Sequence, residues 1–270
     1  MTVRLFVSDV DGTLVRPDKS LAPSTVEAVR KLEGAGIRVA IVSARPPRGM
    51  KPIAAELGLT TPLAGFNGGT LLGPDGKVVS QLRLPEAAAR TAIDLFRRRG
   101  VWTWLFTADE WLCTDPDGPY VPLERRTVRF DERVVDGFDP FLGEIGKLTG
   151  VTDDFAKLAA VEEELQELLG EGAAVHRSQQ YYLDVTHKDA HKGNAVRALA
   201  QALSVDLADV AAIGDMENDV PMFGVAGTSF AMGNAAPDVQ ARASFVVGRN
   251  DADGWAQAAD RLIVGNGGVR

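Results

Sequence analysis

Asp9-Val10-Asp11-Gly12-Thr13-Leu14 closes the first apolar run of the chain, Val3-Arg4-Leu5-Phe6-Val7. The run is short, apolar and β-branched, and a turn with a glycine ends it, which is how a buried strand reads. Two carboxylates two positions apart therefore sit just past the C-terminal end of a strand, where an open α/β sheet binds its ligands. Side chains this close repel, and burying them is costly unless a cation or a donor cluster neutralises them. Gly12 lets the backbone fold tightly back over them. A lone Asp-x-Asp is usually a polar turn beyond an edge strand. Followed directly by Gly-Thr-Leu after an N-terminal strand, the pair reads as a site of chemistry.

Outward from this turn the chain keeps a βαβ rhythm. Pro23-Ser24-Thr25 opens a helix in which Val26, Val29 and Leu32 recur at helical spacing, and Gly34 and Gly36 end it. Ile37–Val42 is a second strand, and Ser43-Ala44-Arg45 follows it. A parallel sheet with a right-handed crossover is expected. Ser43 then reaches the same sheet edge as Asp9, where a hydroxyl beside free backbone N–H groups clamps phosphate well. By itself Ser43 would read as a helix cap. A helix from Arg48 to Leu57 and a strand at 63–66 make a third unit, ending in Asn67-Gly68-Gly69-Thr70, which reads as a tight hairpin turn. Leu71-Leu72, the Gly73-Pro74-Asp75-Gly76 turn and Val78-Val79 complete a short hairpin.

The organisation changes near Leu84-Pro85. A helix carries Ala88, Ala92, Leu95 and Phe96 on one side and ends in Arg97-Arg98-Arg99, where cations suit the dipole. A solvated helix end explains these arginines better than a nucleic-acid patch. Strand-like segments follow at 101–106, 111–113, 128–130 and 146–151, then a periodic helix from Asp153 to Leu169 and strands at 173–176 and 181–185. The helix shows Phe155, Leu158, Val161, Leu165, Leu168 and Leu169 as its apolar residues. Trp102, Trp104 and Trp111 belong to this unit and are expected in its own small core. This alternation describes an α+β lid on its own sheet over residues 84–186, inserted between 1–83 and 187–270.

Chemistry returns after the insertion. Lys192, in His191-Lys192-Gly193-Asn194, opens a helix, where a cation opposes the macrodipole unless an anion lies nearby. The strand Val210-Ala211-Ala212-Ile213 leads into Gly214-Asp215-Met216-Glu217-Asn218-Asp219. Asp215 then lies at the same sheet edge as Asp9, with Asn218 and Asp219 in the next turn. Such hard oxygen donors suit Mg²⁺. His176, His187 and His191 have no ligand-like spacing, so no histidine metal site is expected. The last six residues read as frayed.

These motifs resemble those of the haloacid-dehalogenase-like (HAD) phosphohydrolases. Asp9-Val10-Asp11-Gly12-Thr13-Leu14-Val15 is similar to their first motif, Ser43 to the second, Lys192 to the third and Gly214-Asp215-Met216-Glu217-Asn218-Asp219 to the fourth. The inserted unit, Asn67-Gly68-Gly69 and the tail (Met232-Gly233-Asn234 and Asn250 to Trp255) resemble the Cof-type (subfamily IIB) branch. The chain departs from the usual wording at Ser43-Ala44-Arg45, His191 and Trp255. The resemblance implies a doubly wound parallel-sheet (Rossmann-like) α/β core with an inserted α+β cap. It implies a phosphatase in which Asp9 attacks phosphorus and Asp11 moves protons to and from oxygen. Lys192, Ser43, Asn218, Val10 and Ala44 would hold the phosphoryl group. Mg²⁺ would be held by Asp9, the Asp11 backbone carbonyl and Asp215, supported by Asp219. A phosphomutase would share every motif, and a non-catalytic phosphometabolite sensor would have lost one. No G-x-G-x-x-G follows the first strand, which disfavours dinucleotide chemistry.

Composition bounds the partners. The chain has 270 residues, 45% hydrophobic and 24% charged, which is ordinary for a globular protein large enough for two domains. A formal charge of −8 argues against nucleic-acid or anionic-membrane partners. The single Cys113 suits a reducing compartment, and neither a secretory h-region nor an apolar span is present. A cytoplasmic protein, monomeric or a small homo-oligomer, acting on a small phosphorylated substrate, is the expectation.

Overall fold

The structure, a computed structural model, describes residues 2–267. Its first half runs β1 (Leu5–Ser8), α1 (Pro23–Gly34), β2 (Arg38–Ile41), α2 (Pro47–Leu57), β3 (Leu63–Gly65), β4 (Thr70–Leu72) and β5 (Val78–Gln81). The inserted unit contributes α3 (Glu86–Arg99), β6 (Trp102–Phe106), β7 (Trp111–Cys113), α4 (Val121–Val128), β8 (Arg133–Val134), β9 (Lys147–Val151), α5 (Phe155–Leu169), β10 (Ala174–Gln179) and β11 (Tyr182–Thr186). The chain then returns through α6 (Lys192–Ala202), β12 (Val210–Gly214), α7 (Val220–Phe223), β13 (Thr228–Ala231), α8 (Pro237–Gln240), β14 (Phe245–Val246) and α9 (Gly254–Gly267).

β1 is uniformly apolar except at its end because it is buried on both faces. It lies between β12 and β2 in a parallel five-stranded sheet, order β14-β13-β12-β1-β2. One face packs on α1, α2 and α9 through Val29, Leu32, Ile53 and Trp255. The other packs on α6 and α7 through Val196, Leu199 and Met222. This is the expected doubly wound sheet. Its register places Ser8 opposite both Ile41 and Ile213, so three strand ends deliver Asp9, Ser43 and Asp215 to one edge. β3 touches this sheet only through a Val42–Ala64 bridge and belongs instead to an antiparallel sheet, β3-β4-β5.

The inserted unit has its own six-stranded sheet, order β10-β11-β9-β6-β7-β8. Strand alternation gives it two unlike faces. Leu105, Leu148, Leu183 and Val185 face α3 and α5, against Leu95, Leu158 and Leu165. Trp104, Phe106, Trp111, Val151 and Tyr182 face the other way, against α4 and against Phe66 of the core. Trp104 and Trp111 thus lie in the unit's own small core, as expected, on the sheet face that α4 covers and Phe66 of the first half touches, while Trp102 is exposed.

Some local expectations change. Residues 128–130 are not a strand: Pro122 stands in the first turn of α4, whose last residue is Val128, and Arg129 then takes φ +62°. The β-branched pattern there is overridden by packing of Val121 and Val128 into that small core. On α5, Phe155 and Leu168 are exposed, since Leu158, Val161 and Leu165 suffice to cover the sheet. Residues 265–267 end α9 in order, with Asn266 bonding both backbone groups of Val3 (2.9 and 2.7 Å); 268–270 lie outside the described residues. Arg97 and Arg99 pair with Asp94 and Glu164 at the surface, as a solvated helix end does.

Candidate active site

Asp9 leaves β1 with its N–H on the Ile213 carbonyl (3.0 Å). Behind it, Trp255 donates to Ser8 Oγ (2.9 Å), which donates to the Asp9 carbonyl (2.6 Å). The tail residue that departs from the family wording thus braces the strand end. In front, Lys192 Nζ donates to Asp9 Oδ1 and Asp219 Oδ1, both at 2.5 Å. Burial pulls Lys192 down, but the adjacent Asp219 and Asp9 charges raise it overall, so it stays an ammonium. Asp219 is fully committed, because its Oδ2 accepts the N–H groups of Asp215 (2.8 Å) and Met216 (2.9 Å). It shapes the turn and aims the lysine.

Asp215 is set by three neighbours. Thr13 Oγ1 donates to its Oδ1 (3.0 Å), Asn234 Nδ2 donates to its Oδ2 (3.2 Å), and Gly12 runs alongside. A Cβ on Gly12, which has φ +82°, would lie 2.3 Å from Asp215 Oδ2, so only glycine fits. Asn234 also donates to the Gly12 carbonyl (2.9 Å), and Asn250 donates to the Val15 carbonyl (2.9 Å). The tail thereby clasps the first motif.

Asp9, Asp215 and Asp219 each offer a carboxylate oxygen within 4.8 Å of the others. Burial and the mutual repulsion of the cluster raise Asp9 despite Lys192, and push Asp215 up to about 7. Three carboxylates against one lysine leave surplus negative charge in a buried site, the condition a hard divalent cation relieves. With Asp219 engaged elsewhere, Asp9 and Asp215 have the oxygens to hold one. Asp11 lies outside this cluster.

The Asp11 carboxylate turns toward two cations instead. Arg45 grips it in bidentate fashion (Nε 2.6 Å, Nη2 2.7 Å), and Lys19 Nζ adds a third bond (2.7 Å). Burial opposes ionisation, but these partners outweigh it and hold Asp11 well below the usual carboxylate range. Ser43 does not cap α2, whose first turn opens at Pro46-Pro47. Its Oγ accepts from Arg45 N (3.1 Å), which leaves the hydroxyl proton free to donate. Val10 is wholly buried behind Asp9, while Ala44 stands at the cap seam.

Asn218 donates to Asn67 Oδ1 (3.3 Å), and Asn67 Nδ2 meets His176 Nε2 on the cap (3.2 Å). The Asn218 Oδ1 is buried with no partner among the described residues. The Asn67 turn takes positive φ at Phe66, Asn67 and Gly68, and a Cβ on Gly68 would strike Ala195 at 2.8 Å. His191 caps α6 through Nδ1, accepting from Asn194 N (3.3 Å), and has no place in the site. Sequence reasoning misses Arg45, Lys19, Thr13 and Asn234 as working residues. Thr13, Arg45 and Asn234 each lie inside a quoted motif, whereas Lys19 carries no such hint.

An aspartate and a lysine in contact at the C-terminal edge of a parallel sheet, beside a cluster of buried carboxylates, are an arrangement suited to phosphoryl transfer. The family model for haloacid dehalogenase-like hydrolases matches residues 6–258, and the chain belongs to that family. It is similar to the pyridoxal phosphate phosphatase YbhA of Escherichia coli (strain K12), 28% identical over 95% of this chain and 97% of that one. It is similar also to the 5-amino-6-(5-phospho-D-ribitylamino)uracil phosphatase YwtE of Bacillus subtilis, at 26% over 97% and 99%. Among solved structures, a haloacid dehalogenase-like hydrolase from Bacteroides thetaiotaomicron superposes with TM-score 0.89 at 28% identity, over 97% of this chain and 100% of that one. No described helix is long and apolar enough to cross a membrane.

Proposed function

We propose that the chain is a Mg²⁺-dependent phosphatase that hydrolyses a small phosphorylated metabolite through an aspartyl-phosphate on Asp9. The observation that carries this reading is the buried Asp9–Lys192 contact at 2.5 Å beside Asp215. In the first step an Asp9 oxygen bonds to phosphorus as the P–O bond to the leaving alcohol breaks, with Lys192 and Ser43 donating to phosphoryl oxygens. Asp11 supplies the proton to the leaving oxygen and takes one from the water that then cleaves the acyl phosphate. Ionised by Arg45 and Lys19, it is already set for the second task. The first requires it to exchange those partners for a proton as substrate enters. Mg²⁺, held by Asp9 and Asp215 with the Asp11 carbonyl, would neutralise charge on the transferring group.

Two relatives are named for pyridoxal phosphate and for a phosphorylated ribitylaminouracil, so these head the substrate panel. Their being phosphatases favours hydrolysis over the mutase reading. A sensor is disfavoured because nucleophile, lysine and metal donors are all present and brought together. The proposal includes residues 84–186 as the cap, a cytoplasmic location and no nucleic-acid partner. Purified protein with Mg²⁺ is expected to release orthophosphate from members of the panel. Chelation should abolish release and added Mg²⁺ restore it. Full turnover in excess chelator would rule out the metal dependence.

A further inference from the structure

A second buried lysine sits above the phosphate loop, outside the motifs. Lys147, on β9, is 5% exposed and lies on the core-facing side of the cap sheet. Its ammonium meets Asp184 Oδ2 at 3.3 Å on the neighbouring β11 and lies 5.0 Å above the Phe106 ring. Asp184 is completely buried and takes a further bond from Thr149 Oγ1 (2.8 Å). A buried ion pair of this kind is poor value for stability, since an apolar pair of similar volume does as well or better. Folding of the cap therefore does not account for it.

The third contact of the ammonium crosses the domain boundary. Lys147 Nζ donates to the Ala44 carbonyl at 3.2 Å. The same peptide group, on its other side, uses Arg45 N–H to donate to Ser43 Oγ at 3.1 Å. A cation on the carbonyl oxygen polarises the amide and strengthens its N–H as a donor. That N–H occupies a lone pair of the Ser43 hydroxyl and so dictates where its proton points. Asp184, Lys147, the Ala44–Arg45 peptide and Ser43 form a continuous line from the cap to the phosphate clamp.

We propose that Lys147 is a positioning residue delivered by the cap: when the cap is seated, its ammonium orients the Ser43 hydroxyl toward the phosphoryl group through the Ala44–Arg45 peptide. This rests on the phosphatase reading. The phosphoryl group is common to every substrate, so the effect belongs to the chemical step and not to leaving-group choice. Seating the cap then improves the clamp, which couples water exclusion to catalysis.

The test is a double-mutant cycle between the cap pair and Ser43. Lys147→Met/Asp184→Asn removes both charges together and leaves no lone buried ion, and thermal unfolding checks that it folds. With Mg²⁺ and p-nitrophenyl phosphate, this variant and Ser43→Ala should each lower kcat, with a coupling of about tenfold so that the combined variant falls little below Ser43→Ala alone. An alkyl phosphate should show the same loss, and Lys147→Arg should recover part of it. Additive losses, or a loss confined to one leaving group, would overturn the proposal. The cycle is repeated on orthophosphate affinity with Mg²⁺, which needs no turnover. A wild-type protein that hydrolyses no monoester sinks the phosphatase reading, while the coupling in orthophosphate affinity still decides the role of Lys147.

Discussion

Asp9 and Asp11 are chemically alike and two residues apart, yet the structure gives them opposite surroundings. Asp9 faces Lys192 inside a carboxylate cluster that raises it, while Asp11 faces Arg45 and Lys19, which lower it. Their variants should fail differently. On the proposed mechanism Asp9→Asn removes the nucleophile, and no phosphoenzyme should form. Asp11→Asn removes only proton transfer, a loss of about 10²–10⁴ in rate with an alkyl phosphate. An aryl phosphate needs little protonation of its leaving oxygen, so its first step should be partly rescued and the intermediate should accumulate. Rapid-quench labelling with an aryl phosphate reads both. A base-labile phosphoenzyme in Asp9→Asn would reassign the nucleophile.

Helix α4 shows what an element does that its sequence does not announce. Its Thr127 carbonyl accepts from Arg45 Nη1 (2.8 Å), and its Glu124 is buried against Tyr182, whose hydroxyl donates to Oε2 (3.2 Å). Burial pushes Glu124 up to about 7; Lys147 opposes the rise and Asp184 adds to it. The folded pKa thus exceeds the ordinary 4.5 of the unfolded chain. The stability this group contributes is full below that ordinary value and is lost as pH rises through the folded pKa, because only the folded chain keeps the proton between them. Glu124→Gln should flatten the pH dependence of stability across that window. It should also raise Tm at pH 8, by about 2–4 °C for each kcal/mol regained. Thermal melts from pH 4 to 8 check this, and an unchanged slope would assign the proton elsewhere.

At the scale of the molecule, the site is closed. Asp9 is 3% exposed, and the polar contacts between residues 84–186 and the rest include Arg45 to Thr127, Arg48 to the Asp109 carbonyl, Lys147 to Ala44, Asn67 to His176 and Arg129 to the Lys19 carbonyl. On the proposed function, a substrate would reach the buried Asp9 only once the cap swings away. The first hinge fits residues 82–85, where the chain leaves the core. The second is 187–191 and does not reach back to Asp184, which is locked inside β11 by Lys147 and Thr149. Crystals grown with and without orthovanadate and Mg²⁺ should differ by a rotation about these two segments. A single sealed pose in both would exclude it.

The sequence alone determined the doubly wound core, a second unit with its own sheet and the residues at the core sheet's edge. Those features rest on short-range physics: an apolar run buried on both faces must be a central strand, and the residues just past its end must stand at the sheet edge. The positions of Asp9, Ser43 and Asp215 were therefore legible without coordinates, while Lys192 stood out as a cation at a helix start that resembles a family motif. Partnership was not legible. That Asp11 turns to Arg45, that Asn234 clasps Gly12 and that Lys147 reaches Ala44 depend on register and on how the cap seats on the core. Residues 128–130 read locally as strand and fold as a helix end for the same reason, since propensity there yields to burial of Val121 and Val128 in the second unit's small core. Only the tertiary structure decides such matters, because contacts between residues distant in the chain come from packing whole elements, and no local spacing encodes them.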